Sequence, residues 1–178
     1  MLTRLKKFDK ALLRHVPSSY PIGGLYEVGL MLVRPTRSNH WCTPGNSLTF
    51  ASTGADGTHF SFIAANGIAN DRCPIVMTRP MEGDEPNIVV GESLFDFLCL
   101  GCRHGYRGLE TAPSEGFFAL YKSLKQEGEH AAALDEYQTS VLESLTNEFS
   151  LIPWKGPKTK YQRMQREFMK TLELPNDG

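Results

Sequence analysis

The chain has 178 residues, which is enough for one domain with a hydrophobic core and for no more than two. Its 40% apolar and 22% charged residues are typical of a globular protein and not of a disordered or fibrous one. The net charge of −1 argues against a nucleic-acid binder whose whole domain is basic. We find no signal peptide and no apolar run that could span a bilayer, so the four cysteines are expected to be free thiols in the cytoplasm.

Apolar residues at helical spacing predict an amphipathic helix over residues 2–16, with cations between them. The short apolar segment 25–33 is compatible with a buried strand or with another helical piece, and its periodicity does not decide between them. Residues 34–47 contain prolines, asparagines and a glycine, which predict a loop.

Four short runs then predict strands, at residues 47–52, 59–64, 74–78 and 87–90. Asp and Gly tolerate the positive φ of tight turns, so the sequence GADG at 54–57 predicts a β-hairpin between the first two runs. Phe60 and Phe62 share one face of their strand, and we assign that face to the core. The short connections favour an antiparallel meander over βαβ units.

Helices are predicted around this sheet, at residues 92–104, 114–126, 128–149 and 158–172. The stripe that packs the first of them on the sheet is predicted to consist of Leu94, Phe95, Leu98, Cys99 and Cys102. The fold class is therefore α+β, a single antiparallel sheet packed by helices. We expect one domain over residues 1–178, with a core at about 20–112 and a helical C-terminal extension at about 113–178.

Cys99, Cys102 and His104 form the strongest candidate for thiol or metal chemistry. Arg103 separates the second cysteine from the histidine, which excludes a c-type haem site. The pair is predicted near a helix C-terminus, where the helix dipole opposes a thiolate, and no second CxxC completes a zinc site. We therefore favour two small buried hydrophobic residues, and keep a thiol-redox or zinc-binding protein as the alternative.

Asn39, His40, Trp41 and Cys42 form a second cluster, in the predicted loop. A Cys/His nucleophile pair would need a third, orienting group, so we favour a tryptophan that anchors the loop on the sheet edge. Asp56, and the pair at 84–85, lack the spacing of a calcium loop and are interpreted as turn residues. No phosphate loop, GxSxG elbow or HExxH pattern is present, and we expect no cofactor.

The C-terminal tail is basic, and it could contact nucleic acid, an acidic protein or a membrane surface. Its cations are Lys155, Lys158, Lys160, Arg163, Arg166 and Lys170, against one acid, Glu167. We favour a docked helix with a solvated basic face, and expect neither nucleic acid nor a membrane as a partner.

The central part of the chain resembles the SUKH superfamily, which groups bacterial immunity proteins of toxin systems with a fungal cell-wall synthesis regulator. The resemblance rests on an aromatic residue before the first strand, Trp41, and on the TFASTGADGTHF hairpin at 49–60. It continues in the strand that starts at Pro74 and in the ESLFDFL junction of strand and helix at 92–98.

This resemblance implies an α+β domain without enzymatic activity that binds another protein, often a secreted toxin, and blocks it. It carries over no catalytic residue. We therefore assign candidate partner-binding residues from loops that we expect to be exposed, namely Asn39, His40, Trp41, Asp56 and His59. The sequence does not predict the oligomeric state.

Overall fold

The computed structural model describes residues 1–20, 22–64, 67–83, 85–109, 134–155 and 157–175. In these ranges the α-helices are α1 (Leu2–Leu12), α2 (Leu94–Gly101), α3 (Glu136–Phe149) and α4 (Pro157–Phe168). The strands are β1 (Met31–Thr36), β2 (Ser47–Ser52), β3 (His59–Ile63), β4 (Ile75–Thr78) and β5 (Asn87–Gly91). Short 3-10 helices lie at Leu13–His15, Gly24–Val28, Arg107–Leu109 and Met169–Thr171. The helix predicted at 114–126 and the first residues of the one predicted at 128–149 lie outside the described residues.

The five strands form one antiparallel sheet in which each strand pairs with the next along the chain. This confirms the predicted α+β class and the meander. The undecided segment 25–33 divides at Gly29, whose φ of 79° ends the 3-10 helix Gly24–Val28. The chain after Gly29 forms β1, an edge strand that the sequence alone did not distinguish from a helical segment. A strand therefore extends to Thr36, into the segment predicted as loop.

One face of the sheet carries the main core, and α2 lies on it. Phe97 of α2 is fully buried, and its ring lies 4.8 Å from the Phe60 ring and 5.0 Å from the Tyr106 ring, centroid to centroid. The predicted apolar stripe is wrong at Phe95, which is 38% exposed. The helix begins at Leu94 after the Ser93 cap, so Phe97, and not Phe95, points at the sheet.

The opposite face of the sheet is covered at its β4–β5 side by α4. Met164 is fully buried there against Ile63, Val76 and Val89. The side-chain amide of Gln165 donates to the Val89 carbonyl at 2.8 Å and accepts from the Val89 N–H at 3.1 Å. The basic tail is therefore a docked helix, as favoured from its sequence.

Two cations of α4 form ion pairs at the start of α2, and Arg166 faces the solvent. Lys160 bonds to the Asp96 carboxylate, and Arg163 to Glu92 at 2.6 Å.

Helices α1 and α3 pack together at the far side of the core, where Phe8 and Phe149 meet edge to face at 5.9 Å. No helix in the described ranges is both long enough and apolar enough to cross a membrane.

Candidate functional site

The hairpin between β2 and β3 has the turn chemistry that its sequence predicts. Gly54 and Gly57 have φ values of 87° and 71°, and Asp56 between them has a φ of 48°. The turn is closed by hydrogen bonds from the Thr58 N–H to the Ala55 carbonyl at 3.0 Å and from the Thr53 N–H to the Thr58 carbonyl at 3.2 Å. Its tip is exposed, so Asp56 is presented to the solvent on a well-defined turn.

The loop after β1 turns back toward this hairpin and is fixed there by three contacts. The Thr43 hydroxyl bonds to His59 Nε2 at 3.1 Å, and the Asn87 amide donates to the Cys42 carbonyl at 2.9 Å. The imidazole of His40 stacks on that of His59, with ring centroids 5.3 Å apart and planes at 23°. The loop is thus held over the part of the second sheet face that α4 leaves uncovered.

A pocket of about 360 Å³ lies between this loop, the hairpin and the strands beneath. Three of the five predicted binding residues line it, namely His40, Asp56 and His59. Hydroxyls from the loop, from β2 and from the hairpin supply the rest of its polar wall, through Ser38, Thr49, Ser52 and Thr58. We call residues 38–41 and 54–59 together the hairpin-end surface.

Trp41 does not anchor the loop, which corrects the structural interpretation favoured from the sequence. Its side chain is 58% exposed, while its neighbour Cys42 is buried. The hydrogen bonds of Thr43 and of the Cys42 carbonyl and the stacking of His40 on His59 hold the loop instead, and the indole stays exposed at the surface. Asn39 is also exposed and, like Trp41, lies beside the pocket in the chain without lining it.

His59 is only 3% exposed, where the sequence led us to expect an open position. Its Nδ1 lies 2.7 Å from the Gly57 carbonyl, which can only accept, so Nδ1 carries the proton and Nε2 accepts from Thr43. Burial lowers the pKa of His59, the nearby His40 lowers it further, and the Gly57 bond opposes both. His59 is therefore a neutral, buried residue that supports the wall of the pocket, and it is not an exposed residue at the pocket entrance.

This geometry predicts a pH-dependent stability. The unfolded state takes up a proton on His59 near pH 6.5 while the folded state resists it, so the free energy of unfolding should fall as the pH drops below about 6.5. Urea denaturation at about pH 7.5 and about pH 5.5 measures the difference. In the His59→Asn variant, which keeps a donor near Gly57, the difference should shrink. An unchanged difference would contradict a neutral His59.

The CxxC pair is poorly placed for thiol chemistry. Cys99 and Cys102 are buried at the end of α2, and burial raises the pKa of both thiols, that of Cys102 to about 11. Thiolates are the nucleophilic form, so these groups are weak nucleophiles. All four cysteines are free. In the described ranges, no three His, Cys, Asp or Glu side chains come together in a way that could hold a metal ion.

Sequence reasoning found the loop and hairpin residues of this pocket but missed its floor. Met31, Thr49 and Ser52 reach it from β1 and β2. Met31 is paired with Ser52, and Thr49 with Ser61, on the face opposite the phenylalanine core. Strand alternation could have identified Thr49 as a residue of the face opposite Phe50, but it assigns Ser52, three residues on, to the core face. The irregularity between Thr49 and Ala51 brings Ser52 to the pocket side, and nothing in the sequence marks it. Met31 could not be placed while the 25–33 segment stayed undecided.

The site offers recognition chemistry: hydroxyls, an imidazole, a turn carboxylate and an exposed indole, around a shallow pocket. Both nitrogens of the buried imidazole are already bonded to the protein. No protein-family model matches the chain, and searches of curated proteins and of solved structures found no match.

Proposed function

We propose that this chain is a non-catalytic protein-binding domain that holds its partner through the hairpin-end surface. The observation that carries the proposal is the exposed indole of Trp41 beside a polar pocket on a rigid loop. Tryptophan is among the residues that contribute most to protein interfaces, because one flat side chain buries a large area at little entropic cost. An exposed tryptophan beside a pocket is therefore a candidate anchor for a protein partner.

The groups around the pocket support binding rather than catalysis. His59 is neutral, buried and bonded at both ring nitrogens, so it has no free position from which to act as a base on a substrate. The thiols of Cys42, Cys99 and Cys102 are buried, and burial raises the pKa of each. These two findings also make the thiol-redox or zinc alternative the weaker proposal.

The resemblance of the hairpin and of the strand–helix junction to the SUKH superfamily suggests what the binding achieves. An immunity-type protein neutralises a toxin, or regulates a partner, by occupying its functional surface. Four free thiols support a reducing compartment such as the cytosol as the place where this happens.

The test is capture of the partner by tagged protein from a lysate of its source, with quantification by mass spectrometry. The double variant His40→Ala, Trp41→Ala should retain at most about a tenth of the partner, since loss of an anchor tryptophan typically costs 2 kcal/mol or more. The His40 ring also stacks on His59, so the single variant Trp41→Ala, which keeps that contact, is measured beside the double variant and should lose capture as well. The fold of both variants is checked by circular dichroism. Equal capture by the double variant and the wild type would refute the hairpin-end surface.

Ile68→Ala is the matched control, because Ile68 is an equally apolar loop residue that is 71% exposed near the other end of the sheet. It should capture the partner as the wild type does. The immunity role has its own readout, the activity of the purified partner with an equimolar amount of this domain. Inhibition by the wild type but not by the double variant is expected, and a partner that stays fully active would remove that role.

A further inference from the structure

The two edges of the sheet differ in how their outward backbone groups are hydrogen-bonded. At the β5 edge, the Gln165 side chain satisfies both the N–H and the carbonyl of Val89, so it replaces a neighbouring strand. At the β1 edge, among the described residues, only β2 pairs with the strand and no side chain bonds to its backbone. An edge strand directs every second N–H and carbonyl outward, so within the ranges that the structure describes the outward groups of β1 have no hydrogen-bond partner.

This open edge carries positive charge. Arg34 within β1 and Arg37 just after it are both exposed, and within the described part of the chain neither forms an ion pair. Arg107 is a third exposed cation nearby, because its backbone packs against Gly29 just before β1 and its guanidinium lies over the Tyr26 ring at 5.7 Å. The edge is also continuous with the hairpin-end surface, since Met31 lines the pocket.

We propose that an acidic, extended segment of the protein partner pairs with the outer edge of β1 as an additional strand, while the rest of the partner covers the hairpin-end surface. This inference rests on the proposed function and names the way in which the partner is recognised. Backbone hydrogen bonds to β1 would supply affinity, and the arginines would select carboxylates. Pro35 has no N–H, and the pairing of β1 with β2 shifts register between Leu32 and Thr36, so the pairing with the partner is confined to the start of β1.

The positive charge at the β1 edge also argues against a second copy of this chain as the strand that pairs there. Two β1 edges joined in a dimer would bring Arg34 and Arg37 of both copies together, and like charges at close range repel. Proline and arginine on an edge strand are devices that prevent such self-pairing. They leave pairing with a chain of opposite charge open.

The experiment is a selection of displayed random peptides of about ten residues, the length of a long strand, on the intact protein. Counter-selection uses the double variant Arg34→Glu, Arg37→Glu. Enriched peptides should carry Asp or Glu at alternate positions among β-branched residues, and should bind the double variant about tenfold or more weakly. The control is Arg72→Glu, Arg103→Glu, which has the same net charge and changes two exposed arginines that lie outside β1 and the loop after it. It should bind as the wild type does.

Amide hydrogen exchange with the selected peptide then locates the contact, and slowed exchange should appear at residues 31–34. No enrichment, enriched peptides without acidic residues, or equal binding to both double variants would each overturn the proposal. Protection confined to residues outside β1 would do so as well. Partner capture that depends on Trp41 but not on Arg34 and Arg37 would leave the proposed function standing while this inference fails.

Discussion

Replacing Phe97 with alanine is expected to destabilise the domain by about 3–5 kcal/mol. The Phe97 side chain is fully buried between the sheet and the segment after α2, where its ring meets those of Phe50, Phe60 and Tyr106. Truncation removes the contacts of one ring with three others and leaves a cavity that fixed aromatic rings cannot fill. Because the free energy of unfolding of small domains is about 5–15 kcal/mol, this one change is expected to remove a large part of it. Urea denaturation measures the loss.

Phe95→Ala is the matched control, on the same helix and two residues away. Its ring is 38% exposed, so the same truncation should cost about 1 kcal/mol or less. Equal losses at the two positions would contradict the orientation of α2 on the sheet. The sequence stripe, which names Phe95 and omits Phe97, predicts the opposite order.

Replacing Gly29 with alanine is expected to cost about 3 kcal/mol or more, from two separate causes. Its φ of 79° is unfavourable for any residue with a Cβ atom, and an added Cβ would lie 2.3 Å from the backbone nitrogen of Arg107. Backbone cannot move aside as a flexible side chain can. The segments must also stay close because the Tyr106 N–H donates to the Val28 carbonyl at 2.7 Å.

Gly67→Ala separates the two causes. Gly67 has a φ of 73°, and an added Cβ there would meet nothing within 4 Å. Its substitution should therefore cost only the conformational part, about 1–2 kcal/mol. Similar losses at the two positions would show that the approach of the Arg107 segment to Gly29 is looser than described. Thermal denaturation of the two variants side by side provides the comparison.

Local signals in the sequence were sufficient for most of the sheet. The GADG turn and the alternating phenylalanines of β3 define strand, turn and buried face within a few residues, so the β2–β3 hairpin could be predicted. The 25–33 segment could not, because its short apolar run gives no period and its division depends on a distant contact, that of Gly29 with Arg107. The orientation of α2 failed for a related reason: a helix that is apolar almost all round has no single stripe to identify.

The candidate site was predictable where it depends on turns and not where it depends on tertiary contacts. Asp56 follows from the turn sequence. The exposure of Trp41 and the burial of His59 do not, because both result from how the loop folds back onto β3 through Thr43 and His40. An aromatic residue in a polar loop can equally be an anchor or an exposed contact, and only the packing of its neighbours decides.

The most direct test of the protein-binding account is site-specific photo-cross-linking in living cells of the source. A photoreactive benzoylphenylalanine in place of Trp41 should yield one dominant protein adduct, because the side chain at this position lies in the proposed interface. The same group in place of Ile68, also exposed, should yield none. No adduct at position 41, or the same adduct at both positions, would contradict the claim that the hairpin-end surface is where this domain holds its partner.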